Sequence, residues 1–244
     1  MEEKKLLLII PFYNEAQRMA HTELAAMFTA YPETTFLLVN DGSTDGTYSL
    51  IEDYRSSFNN IILMHLPRNY GKAEAIRKGV LSHSVKSYSF DYIGYLDADL
   101  STPVAELIKM KQYAQAHPYH AFIMGSRIKK LGSTITRYAT RHYFGRVFAT
   151  IVSQFIIKAP VYDTQCGAKV IETQLACDLF AEPFITRWIF DVELLLRYRK
   201  QQGSLNGVYE YSLASWIEKG ESKITLKDLL GFPWQLIKIY RAYS

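Results

Sequence analysis

A chain of 244 residues can bury a substantial core, and its 48% hydrophobic content is that of an ordinary globular protein, which excludes disordered and fibrous classes. The net charge of +4 says little, but its distribution says more. Between Glu106 and Asp163 there is no acidic residue, while Lys109, Lys111, Arg127, Lys129, Lys130, Arg137, Arg141, Arg146 and Lys158 all fall there. A field of one sign attracts an anionic partner, with a merely solvated basic face as the plainer reading. No nucleic-acid module accompanies these residues, so a nucleic-acid partner is not expected. Cys166 and Cys177 match no metal or disulfide spacing, which suits a reducing cytoplasm.

The opening MEEKKLLLIIP has too few apolar residues before its proline for a signal peptide or a membrane helix, and reads as a first buried strand. Apolar runs at 5–10, 35–39, 61–66 and 92–96 each end in polar or turn-forming residues. Helical patterns at 16–30, 47–58 and 72–83 fill the gaps. Alternation of this kind predicts an α/β fold, a mostly parallel sheet with helices on both faces. Further on, helices are expected at 103–117, 136–157, 189–200 and 225–243, the last interrupted by Gly231 and Pro233, with a strand at 121–125. The Phe-rich stretch 144–155 is either core or a lipid-facing surface. With no linker or repeat, one domain over 1–244 is expected, its nucleotide half at 1–100 and its acceptor half at 101–244.

Ligands of such sheets sit beyond the carboxyl ends of the strands, and the acids gather there: Glu15, Asp41, Asp45, Asp97 and Asp99. No G-x-G-x-x-G follows the first strand, and Gly71-Lys72 lacks the P-loop spacing, so dinucleotide and P-loop sites are disfavoured. Asp97-Ala98-Asp99 directly follows a strand, and two carboxylates so spaced suit Mg²⁺ or Mn²⁺ shared with a diphosphate. The same tripeptide could also be a turn before the helix start Ser101-Thr102-Pro103. Asp41-Gly42 could accept a hydrogen bond from a base N–H or simply form a turn, and Asp45 reads as a cap.

PFYNE at 11–15, NDGSTDGT at 40–47, RNYGKAEAIRKG at 68–79 and DADLSTP at 97–103 together resemble glycosyltransferase family 2, whose fold is GT-A, a Rossmann-like arrangement. MGSR at 124–127, DTQCGAKV at 163–170, RWIFDVELL at 187–195 and WIEKGESK at 216–223 resemble its branch acting on dolichyl and polyprenyl phosphates, the dolichyl-phosphate β-glucosyltransferases among them. Ala73-Glu74 and Ala168 depart from the family pattern, which has glycine and an aromatic there.

The resemblance implies an inverting, metal-dependent hexosyltransferase that moves glucose from UDP-glucose to a polyprenyl phosphate. Pro11, Tyr13 and Glu15 would frame the nucleoside, Asp41 would read the uracil and Lys72 would lie by the nucleotide. Asp97 and Ala98 would meet the nucleotide-sugar, and Asp99 would hold the metal. Arg127, Arg137 and Arg141 would receive the acceptor phosphate, with Gln165 and Asp191 on the sugar or acceptor side; Asp97, Asp99, Arg127 and Asp191 form the catalytic set. The enzyme would work peripherally at the inner, cytoplasmic face of an anionic membrane, where a membrane-embedded partner protein is one route to lipid. A phosphate nucleophile needs little base catalysis, whereas the alternative acceptor, a saccharide hydroxyl, would need Asp191 or Asp163 as base. A third reading is a catalytically idle nucleotide-sugar-binding module.

Overall fold

The computed structural model describes residues 4–19, 21–82, 85, 89–219 and 226–243; the side chains of 139–142, 144 and 226–230 lie outside that description. Strands β1 (Leu6–Phe12), β2 (Thr35–Asp41), β3 (Ile61–Leu66) and β4 (Tyr92–Tyr95) lie parallel in the order β3-β2-β1-β4. Ile9 of β1 stands opposite Leu37 on one side and Tyr95 on the other. A strand with both edges paired and both faces covered must be apolar throughout, which is why β1 reads LLLIIPF without alternation. Its side chains still alternate in destination. Leu7 and Ile9 enter the core layer containing Ile76 and Leu195, whereas Leu6, Leu8, Ile10 and Phe12 enter the one containing Phe28 and Leu107.

Helices α1 (His21–Ala30), α2 (Thr47–Ser57) and α3 (Lys72–Val80) return the chain between these strands, and α4 (Val104–Ala116) follows β4. Beyond them come β5 (Phe122–Ser126), β6 (Thr134–Thr136), α5 (Ala139–Ile151) with a π-helical extension Val152–Ile157, β7 (Lys169–Glu172), α6 (Thr173–Leu179), α7 (Phe190–Gln202), β8 (Val208–Ser212), β9 (Ser215–Ile217) and α8 (Leu226–Tyr243). The large sheet runs β3-β2-β1-β4-β7-β5-β8, with β7 antiparallel to both neighbours and β8 parallel to β5. Strands β6 and β9 form a small parallel pair. The expected mostly parallel α/β sheet is therefore present.

Several boundaries differ from the sequence reading. Helix α1 starts at His21 rather than residue 16, because the Glu15 carbonyl captures the amides of Arg18 and Met19 in a tight turn. Helix α3 ends at Val80, where Leu81 N–H returns to the Arg77 carbonyl; His83 lies outside the described residues. The helix expected from 136 starts at Ala139, since Thr134–Thr136 pairs with β9 instead. Helix α8 continues through Gly231 and Pro233. Proline there removes one donor, and packing of Phe232 on Phe148 at 5.9 Å and burial of Ile239 keep the helix whole. Both cysteines are free, and no helix among the described residues is long and apolar enough to cross a membrane.

Candidate active site

The carboxyl ends of β1, β2 and β4 open onto one crevice. At the first, Pro11 and Phe12 close β1, and Tyr13 is 38% exposed at its rim. Asn14 stands at φ +49°, with its N–H donated to Ser43 Oγ and its Oδ1 accepting Thr44 N–H. Glu15 N–H donates to Thr47 Oγ1. The loops after β1 and β2 are thus tied together, which brings residues 13–15 against the 43–47 loop that follows Asp41. The cap of α2 is Gly46 rather than Asp45; Asp45, one residue before it, accepts Thr47 N–H at 3.0 Å and Ala16 N–H at 3.1 Å, which ties the helix start to the loop after β1.

Asp41 is 2% exposed and accepts three hydrogen bonds, from Tyr70 N–H and Gly71 N–H at 2.8 Å and from Asn69 Nδ2 at 3.0 Å. Burial raises its carboxyl above the ordinary value against the pull of those amides. Asp41 therefore also shapes the 69–71 loop. Gly42 must be glycine: at φ +65° a Cβ would lie 2.2 Å from the Arg68 backbone carbon. Arg187 covers the same loop, donating to Asn69 Oδ1 at 2.8 Å. The sequence reading gave Arg187 and Asn69 no part, since neither lies at an acidic strand end.

Asp97 and Asp99 leave β4 at the centre of the crevice, on either side of the buried Ala98. The Lys72 ammonium lies 2.5 Å from Asp97 Oδ1. Burial works to raise the Asp97 carboxyl, but Lys72, with Arg127 and Lys169 further away, outweighs it and holds the group below its ordinary value. Asp99 moves the other way, raised by burial and then by the Asp97 charge, while Oδ1 accepts Ser101 N–H at 2.9 Å. Among the described residues Asp99 has no ion-pair partner, and Lys72, paired with Asp97, acts on it only weakly. Gly167 presses on Asp97 so closely that a Cβ would fall 2.1 Å from Oδ2.

Two adjacent hard oxygen donors, one without a compensating cation, fit Mg²⁺ or Mn²⁺. Among the described residues no three His, Cys, Asp or Glu converge, so a cation here would complete its shell with water and substrate phosphate. Helix α4 starts only at Val104, and Pro103 offers it no side-chain cap, so the two carboxylates are not spent as helix caps.

The basic interval supplies the facing wall. Arg127 makes a two-pronged contact to Asp163, Nε to Oδ2 at 2.7 Å and Nη2 to Oδ1 at 2.8 Å, and lies over the Trp216 ring. Its fork, expected to be open to a phosphate, is occupied by a carboxylate. Glu210 on β8 holds this corner by accepting Tyr162 N–H and Asp163 N–H. Arg137 is different. It is half-buried, no carboxylate pairs with it among the described residues, and burial followed by the Arg127 charge lowers its pKa. The charges of Asp163 and Glu218 oppose that shift without cancelling it. The Arg141 side chain lies outside the described residues. Nearby in sequence, buried atoms of Ser126 (Oγ), Thr164 (Oγ1) and Gln165 (Nε2) have no protein hydrogen-bond partner.

Arg127 holds the Asp163 carboxyl down at about 2, although burial opposes it. A depressed carboxyl gives stability that is complete above its unfolded value, near 4, and is lost as pH falls toward 2. The stability gap between wild type and Asp163→Asn is expected to narrow by about 2 kcal/mol between pH 5 and pH 2.5 in urea denaturation. An unchanged gap would show that the pair does not act this way.

Asp191 sits deeper. Its Oδ1 accepts both the Tyr95 hydroxyl and the Lys169 ammonium at 2.7 Å, and all three residues are buried. Lys169 also donates to the Cys166 carbonyl at 2.8 Å. Neither Asp163 nor Asp191 is therefore a free carboxylate base. The sequence signal for Lys169 was a lone lysine opening an apolar strand, KVIE, which requires a buried counter-charge.

Residues 7–174 match the family described as glycosyl transferase family 2. Among curated relatives, a dolichyl-phosphate beta-glucosyltransferase of Drosophila melanogaster is 30% identical, the match covering 91% of this chain and 69% of that protein. The enzyme of the same name in Saccharomyces cerevisiae is 27% identical, with 99% and 76% covered. Among solved structures, glucosyl-3-phosphoglycerate synthase from Mycobacterium tuberculosis with Mn²⁺, UDP and glucosyl-3-phosphoglycerate superposes with a TM-score of 0.69 at 15% identity, covering 98% of this chain and 80% of that one. Mannosyl-3-phosphoglycerate synthase from Rubrobacter xylanophilus gives 0.71 at 14% identity, covering 98% and 73%. The fold is thus the GT-A glycosyltransferase fold.

Proposed function

The chain belongs to glycosyl transferase family 2, and we propose that it transfers a hexose, glucose from UDP-glucose, to a polyprenyl or dolichyl-type phosphate with inversion. One observation carries this reading: an acidic corner, Asp97 and Asp99 with Lys72 as its ion-pair partner, lies within electrostatic reach of a basic corner, Arg127 and Arg137 with Asp163 as its ion-pair partner. Two such corners suit two anions, a donor diphosphate and an acceptor phosphate.

In this reading the nucleoside lies between Tyr13, Glu15 and Asp41, on the 69–71 loop under Arg187. Asp99 would hold a divalent cation, Mg²⁺ or Mn²⁺, which would supply positive charge to the departing diphosphate. Lys72 keeps Asp97 ionised and adds positive charge beside the nucleotide. Arg137 orients the acceptor phosphate, and Arg127, fixed by Asp163, adds positive potential behind it. A phosphate monoester is already an anion near neutral pH, so the transfer asks for alignment rather than proton removal. That agrees with Asp163 and Asp191 being tied up in ion pairs, which also weakens the case for a hydroxyl acceptor. Direct attack by the acceptor oxygen on the anomeric carbon, opposite the leaving diphosphate, inverts that carbon. The acceptor is a membrane lipid, so the enzyme works at a membrane surface, its nucleotide half (1–100) and acceptor half (101–244) acting as one unit.

The test is a screen of UDP- and GDP-sugars against a short-chain polyprenyl phosphate, with and without Mn²⁺. UDP-glucose with metal is expected to give product, and omission of the lipid phosphate to abolish it. Nucleotide binding without turnover on any acceptor would favour an idle binding module instead. Arg137→Ala is expected to raise the KM for the acceptor about tenfold or more while leaving that for the nucleotide-sugar within about twofold. A selective rise in the donor KM would remove Arg137 from the acceptor side.

A further inference from the structure

Away from the crevice, α5 and its π-helical extension expose a row of large apolar side chains, Tyr143, Val147, Ile151 and Phe155, each 44–76% accessible. A four-residue row drifts sideways around a straight α-helix, and the wider π turn from Val152 rotates it back, which keeps Phe155 in line. The opposite side of this segment packs inward: Phe148, Val152, Ile156 and Ile157 meet the core with Phe232, Leu236 and Ile239 of α8. Helix α8 has its own outer row, Trp234, Ile237 and Tyr240, each 42–57% accessible. Where the two helices meet lies a cleft lined by Ile156, Lys158, Leu196, Arg199, Tyr240 and Tyr243. Neither Lys158 nor Arg199 has a carboxylate partner among the described residues, and Arg199 is fixed by donating to the Ile157 carbonyl at 2.5 Å. Lys238 and Arg241 are exposed on α8.

We propose that this two-helix face docks on an anionic lipid bilayer, with its apolar rows in the interface and a lipid headgroup phosphate in the Lys158–Arg199 cleft. Charge selects the occupant. The sequence has no acidic residue at 107–162 or at 229–244, so the charged groups of these rows are cationic, and on α7 behind the cleft Glu193 is buried and held by Arg197 and the Tyr243 hydroxyl. Aromatic and aliphatic side chains flanked by lysine and arginine are what an amphipathic interfacial helix presents to headgroups, the basic side chains reaching outward from apolar stems. The same helix also borders Arg137. Helix α5 starts two residues after Arg137, and Gly145, nearly two turns on and on the side away from the exposed row, lies close enough that a Cβ would meet Arg137 Nη2 at 2.7 Å. A phosphate at Arg137 would have its hydrocarbon chain beside a helix that runs into the bilayer surface. The inference deepens the reading of the acceptor as a membrane lipid, but it stands or falls by a separate measurement.

The full chain is mixed with phosphatidylcholine vesicles with and without phosphatidylglycerol, and bound protein is measured by flotation. Binding is expected to anionic vesicles and to fall as salt rises. Phe155→Ser and Trp234→Gln should each weaken it about tenfold, and Lys158→Gln about fivefold on anionic vesicles only. All three should keep the wild-type melting temperature and transfer to a water-soluble short-chain acceptor. Equal binding to neutral and anionic vesicles, or well-folded apolar variants that bind like wild type, would overturn the proposal. A dimer dissolved by the same substitutions, with no vesicle binding, would overturn it in favour of self-association. Vesicle binding without any transfer would instead leave the surface standing and remove the lipid-phosphate reaction.

Discussion

Asp99→Asn is expected to lower turnover by about two to three orders of magnitude while leaving the protein as stable as wild type or slightly more so. The two halves of that expectation have one cause. Asp97 is already balanced by Lys72 at 2.5 Å, whereas Asp99 is raised by burial and by the Asp97 charge. Removing the Asp99 charge relieves a repulsion in the folded protein, and the amide oxygen can still accept Ser101 N–H. What is lost is the one carboxylate with unspent charge for a divalent cation. The Mn²⁺ concentration giving half-maximal rate should rise in parallel, while metal-free nucleotide binding should not change. Product formed at the wild-type rate would remove Asp99 from the metal site. Asp97→Asn should behave differently, losing stability as well as rate, because it strands Lys72.

This contrast marks the limit of what could be read from residues in a row. Strands β1 to β4 were legible because buried parallel strands are continuous apolar runs, and their carboxyl ends necessarily share one crevice. Asp97 and Asp99 followed from that rule. Strands β7 and β8 were not legible. One opens with a buried lysine, and the other, VYEYS, is a half-buried edge strand without clean alternation. Strands β6 and β9 have three residues each, too few for any period. In the site, residue types and locations were accessible but pairings were not. Arg127 and Asp163 are 36 positions apart and Tyr95 and Asp191 are 96 apart, and only packing of the second half against β4 decides that they meet. The consequence is functional. A reading by residue type offers Arg127 to phosphate and Asp191 to base catalysis, whereas the contacts give each a counter-ion inside the protein and leave Arg137 without an ion-pair partner among the described residues.

The Lys169–Asp191 pair should be the most costly contact near the site to break. Both side chains are fully or nearly excluded from solvent, and Asp191 Oδ1 is shared with the Tyr95 hydroxyl. Lys169→Met leaves a buried carboxylate with one neutral donor, and is expected to destabilise the fold by about 3–5 kcal/mol in urea denaturation. Asp191→Asn keeps an acceptor for both donors and removes only charge, so its loss should be smaller, about 1–3 kcal/mol. Because each substitution removes the same interaction, the double variant should fall well short of the sum, with a coupling of about 1–3 kcal/mol. Additive losses would mean that the pair is not an energetic unit. The same set separates structure from catalysis. If Asp191 acted as a base, Asp191→Asn would abolish turnover in protein that remains folded, and Lys169→Met would not reproduce the defect. If Asp191 instead anchors the wall on which Asp97 rests, both variants should lower the rate in proportion to the disorder they cause, with Asp191→Asn the milder. Lys169 is joined to that wall through the Cys166 carbonyl, one residue before the Gly167 that presses on Asp97. The milder loss for Asp191→Asn is the outcome expected of an enzyme whose acceptor arrives as an anion.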